Sequence, residues 1–116
     1  MPNDLSVPLV WPEEGVTRVP FRLFSDPEIY KLEQERVFKG PVWHYLCFEI
    51  DLPNPGDFKT TSIGEVPVVV TRDHAGDLHA MVNRCAHKGA LVCLKERGNA
   101  KDLTCAYHSW FYDMSG

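Results

Sequence analysis

The sequence predicts a mainly β domain of small antiparallel sheets with two ligand-bearing loops, preceded by an extended arm and one α-helix. Three observations carry this expectation. From residue 42 onward, short β-rich runs alternate with turn residues. Two short Cys/His clusters fall where the chain leaves such runs. The first 40 residues have a different texture, a proline-rich stretch followed by a capped apolar stripe, which places a boundary between an arm-and-helix segment, 1–40, and a ligand-bearing domain, 41–116.

Residues 1–24 contain Pro2, Pro8, Pro12 and Pro20 with little periodicity, the pattern of an extended arm lying across a surface, with Trp11, Val19, Phe21, Leu23 and Phe24 as its apolar points. Ser25-Asp26-Pro27-Glu28 then forms a helix start: a capping side chain, an early proline and an acid in the first turn. Ile29, Leu32, Val37 and Phe38 give a partial apolar stripe, and Gly40-Pro41 ends a helix expected over about 26–38. Strands are expected at Trp43 to Ile50, Phe58 to Ile63, Val66 to Arg72 and Leu78 to Asn83, with shorter ones near Leu103-Thr104 and at Trp110 to Asp113. Gly64-Glu65 and His74-Ala75-Gly76-Asp77 have the length of hairpin connections. Lys95 to Lys101 is expected as a polar turn between two ligand arms, and no internal repeat is visible. Met114-Ser115-Gly116 has the look of another hairpin turn, which implies truncation within an element.

At 116 residues the chain is long enough for one small domain with a core and an appendage, and too short for two ordinary domains. A net charge of −4 with both signs interleaved gives no electrostatic footprint for nucleic acid. Met1 to Leu5 has neither a basic start nor an apolar core, and runs such as Val66 to Val70 and Ala90 to Leu94 are too short to span a bilayer. A cytoplasmic protein is expected, with no membrane partner. Cys47 and Cys93 have no spacing that suggests a disulfide framework and are expected to act as small hydrophobes.

The chemistry lies in Cys85-Ala86-His87 and Cys105-Ala106-Tyr107-His108, together C-x-H-x17-C-x2-H. Each cluster offers one thiolate and one imidazole. Two loops brought tip to tip can give one iron two sulfur ligands and the other two nitrogens, the ligand set of a Rieske [2Fe-2S] centre. Two ferric ions, two sulfides and two thiolates sum to zero charge, whereas four thiolates would make the cluster two units more negative, so histidine ligation eases electron uptake. The alternative is a zinc-binding module, since two Cys and two His also satisfy one tetrahedral ion. Ligand order speaks against it, because zinc fingers take both thiols from one knuckle and both imidazoles from another. His74 and His79 also share an x4 spacing, but Ala75-Gly76-Asp77 reads as a turn, and both are expected to be turn and strand histidines; His44, in an apolar run, is expected to be structural.

Arg18-Val19-Pro20-Phe21, Val42-Trp43-His44-Tyr45-Leu46-Cys47, Pro55-Gly56-Asp57-Phe58, Val69-Val70-Thr71-Arg72-Asp73, Asn83-Arg84-Cys85-Ala86-His87-Lys88-Gly89, Gly98-Asn99-Ala100 and Cys105-Ala106-Tyr107-His108-Ser109-Trp110 stand in this order. In that order and spacing the chain resembles the N-terminal part of the large subunit of aromatic-ring-hydroxylating Rieske non-haem iron oxygenases, with wording similar to those acting on terephthalate, salicylate or anthranilate. The resemblance implies an electron-transfer domain of an oxidoreductase, with Cys85, His87, Cys105 and His108 holding the cluster and no catalytic residue in this chain. It also implies a mononuclear Fe(II) in a catalytic half beyond residue 116, a ferredoxin or flavin reductase as electron donor, and a neighbouring subunit whose catalytic domain meets His108 in a homo- or hetero-oligomer. A stand-alone Rieske ferredoxin is the other reading, and residues 1–40 count against it.

Respiratory Rieske proteins resemble C-x-H-x-G-C and C-x-C-H with a disulfide between the extra cysteines; here those places hold Ala90 and Tyr107, so no brace is expected. Trp110 stands where high-potential members resemble one another in a serine donor, which implies a low potential. Tyr112 matches a tyrosine that donates toward a cysteine sulfur, and core packing is an equal alternative. Gly89 suits a turn and a close backbone approach alike. Arg84, Lys88, Lys95, Arg97 and Lys101 outnumber Glu96 and Asp102 around the clusters, either to guide an acidic electron donor or as solvated loop charges.

Overall fold

The structure is a computed structural model that describes residues 5–116. Pro2, counted above with the arm, and most of the Met1 to Leu5 stretch lie outside the described residues. The chain divides into two compact units, Met1–Trp43 and His44–Gly116.

In the first unit the arm is not uniformly extended: it carries 3-10 turns at Gly15–Thr17 and Phe21–Phe24. Helix α1 spans Pro27–Glu33 and begins as its sequence requires, with the Asp26 carboxylate accepting from the Glu28 and Ile29 backbone N–H groups and Pro27 in the first turn. Arg22 pairs with the same carboxylate. The helical path does not continue as α-helix to residue 38. It widens into a π-helical turn over Gln34–Phe38, where Lys39 N–H reaches back to the Gln34 carbonyl.

The second unit is built on a four-stranded antiparallel sheet in the order β3-β2-β1-β4, with β1 at Asp57–Ile63, β2 at Val66–Arg72, β3 at Leu78–Val82 and β4 at Arg97–Asn99. A second, two-stranded sheet joins β5, Leu103–Thr104, to β6, Phe111–Tyr112. Ile63 pairs with Val66 across Gly64-Glu65, and Gly64 takes the positive φ that such a two-residue hairpin needs. At the β2–β3 turn the Asp73 carboxylate accepts the Ala75 and Asp77 N–H groups while Arg72 donates to the Gly76 carbonyl.

Strand β2 is buried on both faces, so its apolar residues run on without alternating. Val69 faces one core with Phe58, Cys93, Leu103 and Met114, while Val68 and Val70 face another with Leu52, against which Leu46 and Cys47 pack. The first core ties the sheet to the β5–β6 hairpin and thereby fixes both ligand loops to one support. Buried Thr71 adds a hydroxyl donated to the Met114 carbonyl.

Two expectations are corrected. Trp43 to Ile50 is not a strand: it is extended chain with no strand partner, ending in a 3-10 turn at Glu49–Asp51 where the Asp51 carboxylate accepts the Phe48 N–H. Leu46 and Cys47 are partly buried, while Trp43, Tyr45, Phe48 and Ile50 are exposed. Residues 97–99, expected within a polar turn, form β4 instead, pairing Asp57 with Asn99, Phe58 with Gly98 and Lys59 with Arg97. Gly98 permits this, because a Cβ there would stand 2.9 Å from the Phe58 ring.

Candidate metal centre

Strand β3 delivers Cys85 and His87, and the β5–β6 hairpin delivers Cys105 and His108 in its tip. The two six-residue loops, 85–90 and 105–110, share one backbone form. In the first, Cys85 N–H donates to the Ala90 carbonyl (2.7 Å) and Gly89 N–H to the Cys85 carbonyl (2.8 Å); in the second, Cys105 N–H donates to the Trp110 carbonyl (2.8 Å) and Ser109 N–H to the Cys105 carbonyl (3.0 Å). The fifth residue of each is left-handed, Gly89 at φ 75° and Ser109 at φ 59°. Ser109 is the only non-glycine residue of positive φ among the described residues. The equivalence is too short to stand out as a repeat; its trace in the sequence is the shared Cys-Ala opening with a small residue four places on.

Both cysteines are buried, at 4% and 2% exposure, whereas His87 is half-buried and His108 exposed. The imidazoles meet edge to face with centroids 4.8 Å apart. The four donors thus fall into two pairs, two buried cysteines whose side chains interact and two more exposed imidazoles in contact. Among the described residues, no three His, Cys, Asp or Glu side chains close around one point as a single ion requires. A two-iron cluster asks for the paired arrangement, one iron for each pair, and on this donor set the residues fit.

Tyr112 is both a core residue and a donor, which resolves the alternative left open by its sequence position. Its hydroxyl lies 3.3 Å from Cys85 Sγ and accepts the Ala86 N–H at 2.9 Å; toward a Cys85 thiolate, which carries no proton, the hydroxyl is the donor. This hydroxyl, helped by the His87 and Lys88 backbone N–H groups and the neighbouring Cys105, holds the Cys85 thiol below its usual range. The same contact pushes the Tyr112 phenol upward. A thiolate is the form that binds metal, so the pocket favours the ligating state.

Asn83 leads into the first loop. Its buried side chain donates to the Cys93 carbonyl (2.9 Å) and accepts from the Val92 (3.2 Å) and Cys93 (2.8 Å) N–H groups, fastening the chain entering the first loop to the chain leaving it. Arg84 donates to the Gly89 carbonyl across that loop at 3.2 Å. The other basic residues, Lys88, Lys95, Arg97 and Lys101, are exposed.

The remaining histidines and cysteines stand apart. His74 contacts the Lys101 carbonyl at 3.0 Å and His79 the Asp73 carboxylate at 2.8 Å; they do not share a site. Cys47 and Cys93 are free thiols raised by burial, in keeping with the hydrophobic role expected of them. No helix among the described residues is long and apolar enough to cross a membrane.

Comparison with known proteins agrees with this geometry. The chain is 52% identical over 106 residues to the anthranilate 1,2-dioxygenase large subunit of Burkholderia cepacia, covering 91% of this chain and 25% of that protein. It is 46% identical to the large oxygenase component of salicylate 5-hydroxylase from Ralstonia, with the same coverage. Among solved structures, naphthalene 1,2-dioxygenase from Rhodococcus superposes with a TM-score of 0.78 at 38% identity, over 84% of this chain and 22% of that one. A quaternary ammonium Rieske monooxygenase superposes at 0.75 with 26% identity, over 84% and 28%. The chain spans about a quarter of the length of the relatives it matches. The model of the Rieske [2Fe-2S] domain matches residues 42–116, well over half of the sequence and all of both loops, and the chain therefore belongs to the Rieske [2Fe-2S] domain family.

Proposed function

We propose that this chain is the electron-transfer domain of an aromatic-ring-hydroxylating oxygenase large subunit, with an arm and helix over 1–40 and the cluster domain over 41–116. Cys85 and Cys105 hold one iron and His87 and His108 the other. The carrying observation is the arrangement of donors, a buried cysteine pair and two imidazoles 4.8 Å apart, on two loops of one backbone form. The bound cluster supplies one-electron transfer at a potential set by its ligands and their surroundings.

The chain's own residues do the rest. Tyr112 and the first-loop backbone place hydrogen bonds on Cys85, burial keeps water from both cysteines, and His108 is exposed at the surface. A ferredoxin or flavin reductase is the proposed donor, approaching the exposed basic residues. The proposed acceptor is the mononuclear iron of a neighbouring subunit's catalytic domain, whose acid would meet His108. The dioxygenase and hydroxylase relatives support an aromatic substrate for the whole protein, and a cytoplasmic location is part of the same proposal.

Reconstitution under iron and sulfide should give a red-brown protein with two irons and two acid-labile sulfides per chain, and Cys85→Ser or Cys105→Ser should abolish both. A colourless protein with stoichiometric zinc would sink the assignment. The loaded chain should accept electrons from a reductase yet hydroxylate no aromatic acid by itself; turnover would overturn the division of labour.

A further inference from the structure

We propose that Trp110 is a positioning residue for His87: its indole is a parallel plate that fixes the plane of this one imidazole, whereas the other has only a tilted ring beside it. The inference rests on the reading of His87 and His108 as iron ligands and adds that the two are held unequally.

The Trp110 and His87 rings are stacked, with centroids 4.6 Å apart and planes inclined by only 12°. His87 also meets the His108 ring, at 75°. His108 has the Tyr107 ring beside it, with centroids 3.9 Å apart but planes tilted by 46°, so that pair is not stacked, and both of those residues are exposed. An imidazole bound through one nitrogen retains one soft motion, rotation about that bond. A parallel indole and a perpendicular neighbour together restrict this rotation for His87, and offset stacking is a favourable geometry for such a pair.

Trp110 is placed by the backbone for this purpose. It is the sixth residue of the second loop, pinned by Cys105 N–H to its carbonyl and turned back toward the first loop by the left-handed Ser109. Core packing does not explain it, because Trp110 is 47% exposed and belongs to neither core cluster. Removing the indole therefore opens no cavity in the core, and its effect on the imidazole can be read separately from folding. The plate covers one face of half-buried His87 while His108, beside the tilted Tyr107 ring, stays exposed, so contact with a partner falls to the second-loop histidine.

The test uses pulsed EPR on the reduced, cluster-loaded chain to measure the nitrogen couplings of both histidines in the parent and in Trp110→Ala, Trp110→Leu and Trp110→Phe, with iron content and melting temperature alongside. Expected are two couplings in the parent, a shift and broadening of one alone in the Ala and Leu variants, and return of the parent signal in Phe, at unchanged iron content and melting temperature. If Ala does not load, Leu against Phe decides between a flat ring and mere apolar bulk. Unchanged couplings in Leu, or equal movement of both, would overturn the clamp while leaving the ligand assignment intact. Absence of histidine nitrogen couplings in the loaded parent would overturn both.

Discussion

The two ligand loops are alike in backbone and unlike in everything hung on it. Both are six-residue turns closed by the same pair of hydrogen bonds and a left-handed fifth residue. The first uses glycine there and carries its histidine third; the second uses serine and carries its histidine fourth. That one-place shift, on a common frame, sets a half-buried imidazole under an indole beside an exposed one. The frame brings donors together, and side-chain placement makes them unequal.

The supports of the loops are also unequal, and the largest effect should come from breaking the first one. Asn83→Ala strands two backbone N–H groups and a carbonyl that the buried amide now satisfies. Unfolding measurements should show a loss of about 3 kcal/mol, since each buried unsatisfied group costs about 1–3 kcal/mol and such costs do not simply add. Cluster retention should fall with it.

The left-handed residues give a matched pair. No heavy atom lies within 4 Å of where a Gly89 Cβ would stand, so Gly89→Ala carries a conformational penalty alone, about 1–2 kcal/mol. Ser109→Gly relieves the same strain and should raise stability by about 0.5 kcal/mol, the gain being trimmed by glycine's greater unfolded-state entropy. Equal and same-signed changes in denaturant midpoint would contradict the equivalence of the loops.

Tyr112 serves the first-loop cysteine. Tyr112→Phe withdraws a donor from Cys85, destabilising the more negative reduced state, so the potential should drop by roughly 50 mV, where 59 mV is tenfold for one electron. Voltammetry of the parent should start near the low end of the range, about −150 mV. A rise in the variant would contradict the proposed donation.

The smallest effect belongs to a pair outside both loops. His79, followed by the Asp77 and Ala75 N–H groups, holds the Asp73 carboxyl below its ordinary value of 3.8. The folded state then binds this proton less readily than the unfolded state. Its contribution is complete above that ordinary value and is lost as pH falls through the lower folded value. Asp73→Asn should flatten this acid-side slope in a thermal melt series and leave the visible spectrum unchanged.

The four candidate donors stood out because Cys85, His87, Cys105 and His108 have a spacing few other sites use, and β1 to β3 were legible because turn residues bracket their apolar runs. Strand β4 was not, since Arg97-Gly98-Asn99 has no apolar residue and forms by pairing with an edge that local pattern cannot reveal. Trp43 to Ile50 misled for the opposite reason: β-rich composition reports suitability for a strand and not the presence of a partner. The π-helical turn at Gln34–Phe38 departs from a helical run without any glycine or proline inside it. The indole stack joins residues 23 positions apart, which no short-range pattern encodes.

The central claim is that the sulfur pair and the nitrogen pair hold different irons. Mössbauer spectroscopy of the iron-57-loaded, one-electron-reduced chain tests it most directly. Two inequivalent sites in equal amount are predicted, a ferric iron bound by Cys85 and Cys105 and a ferrous iron bound by His87 and His108, with His87→Cys altering the ferrous site alone. Two sites with the same all-sulfur character, or a single mononuclear iron, would contradict it.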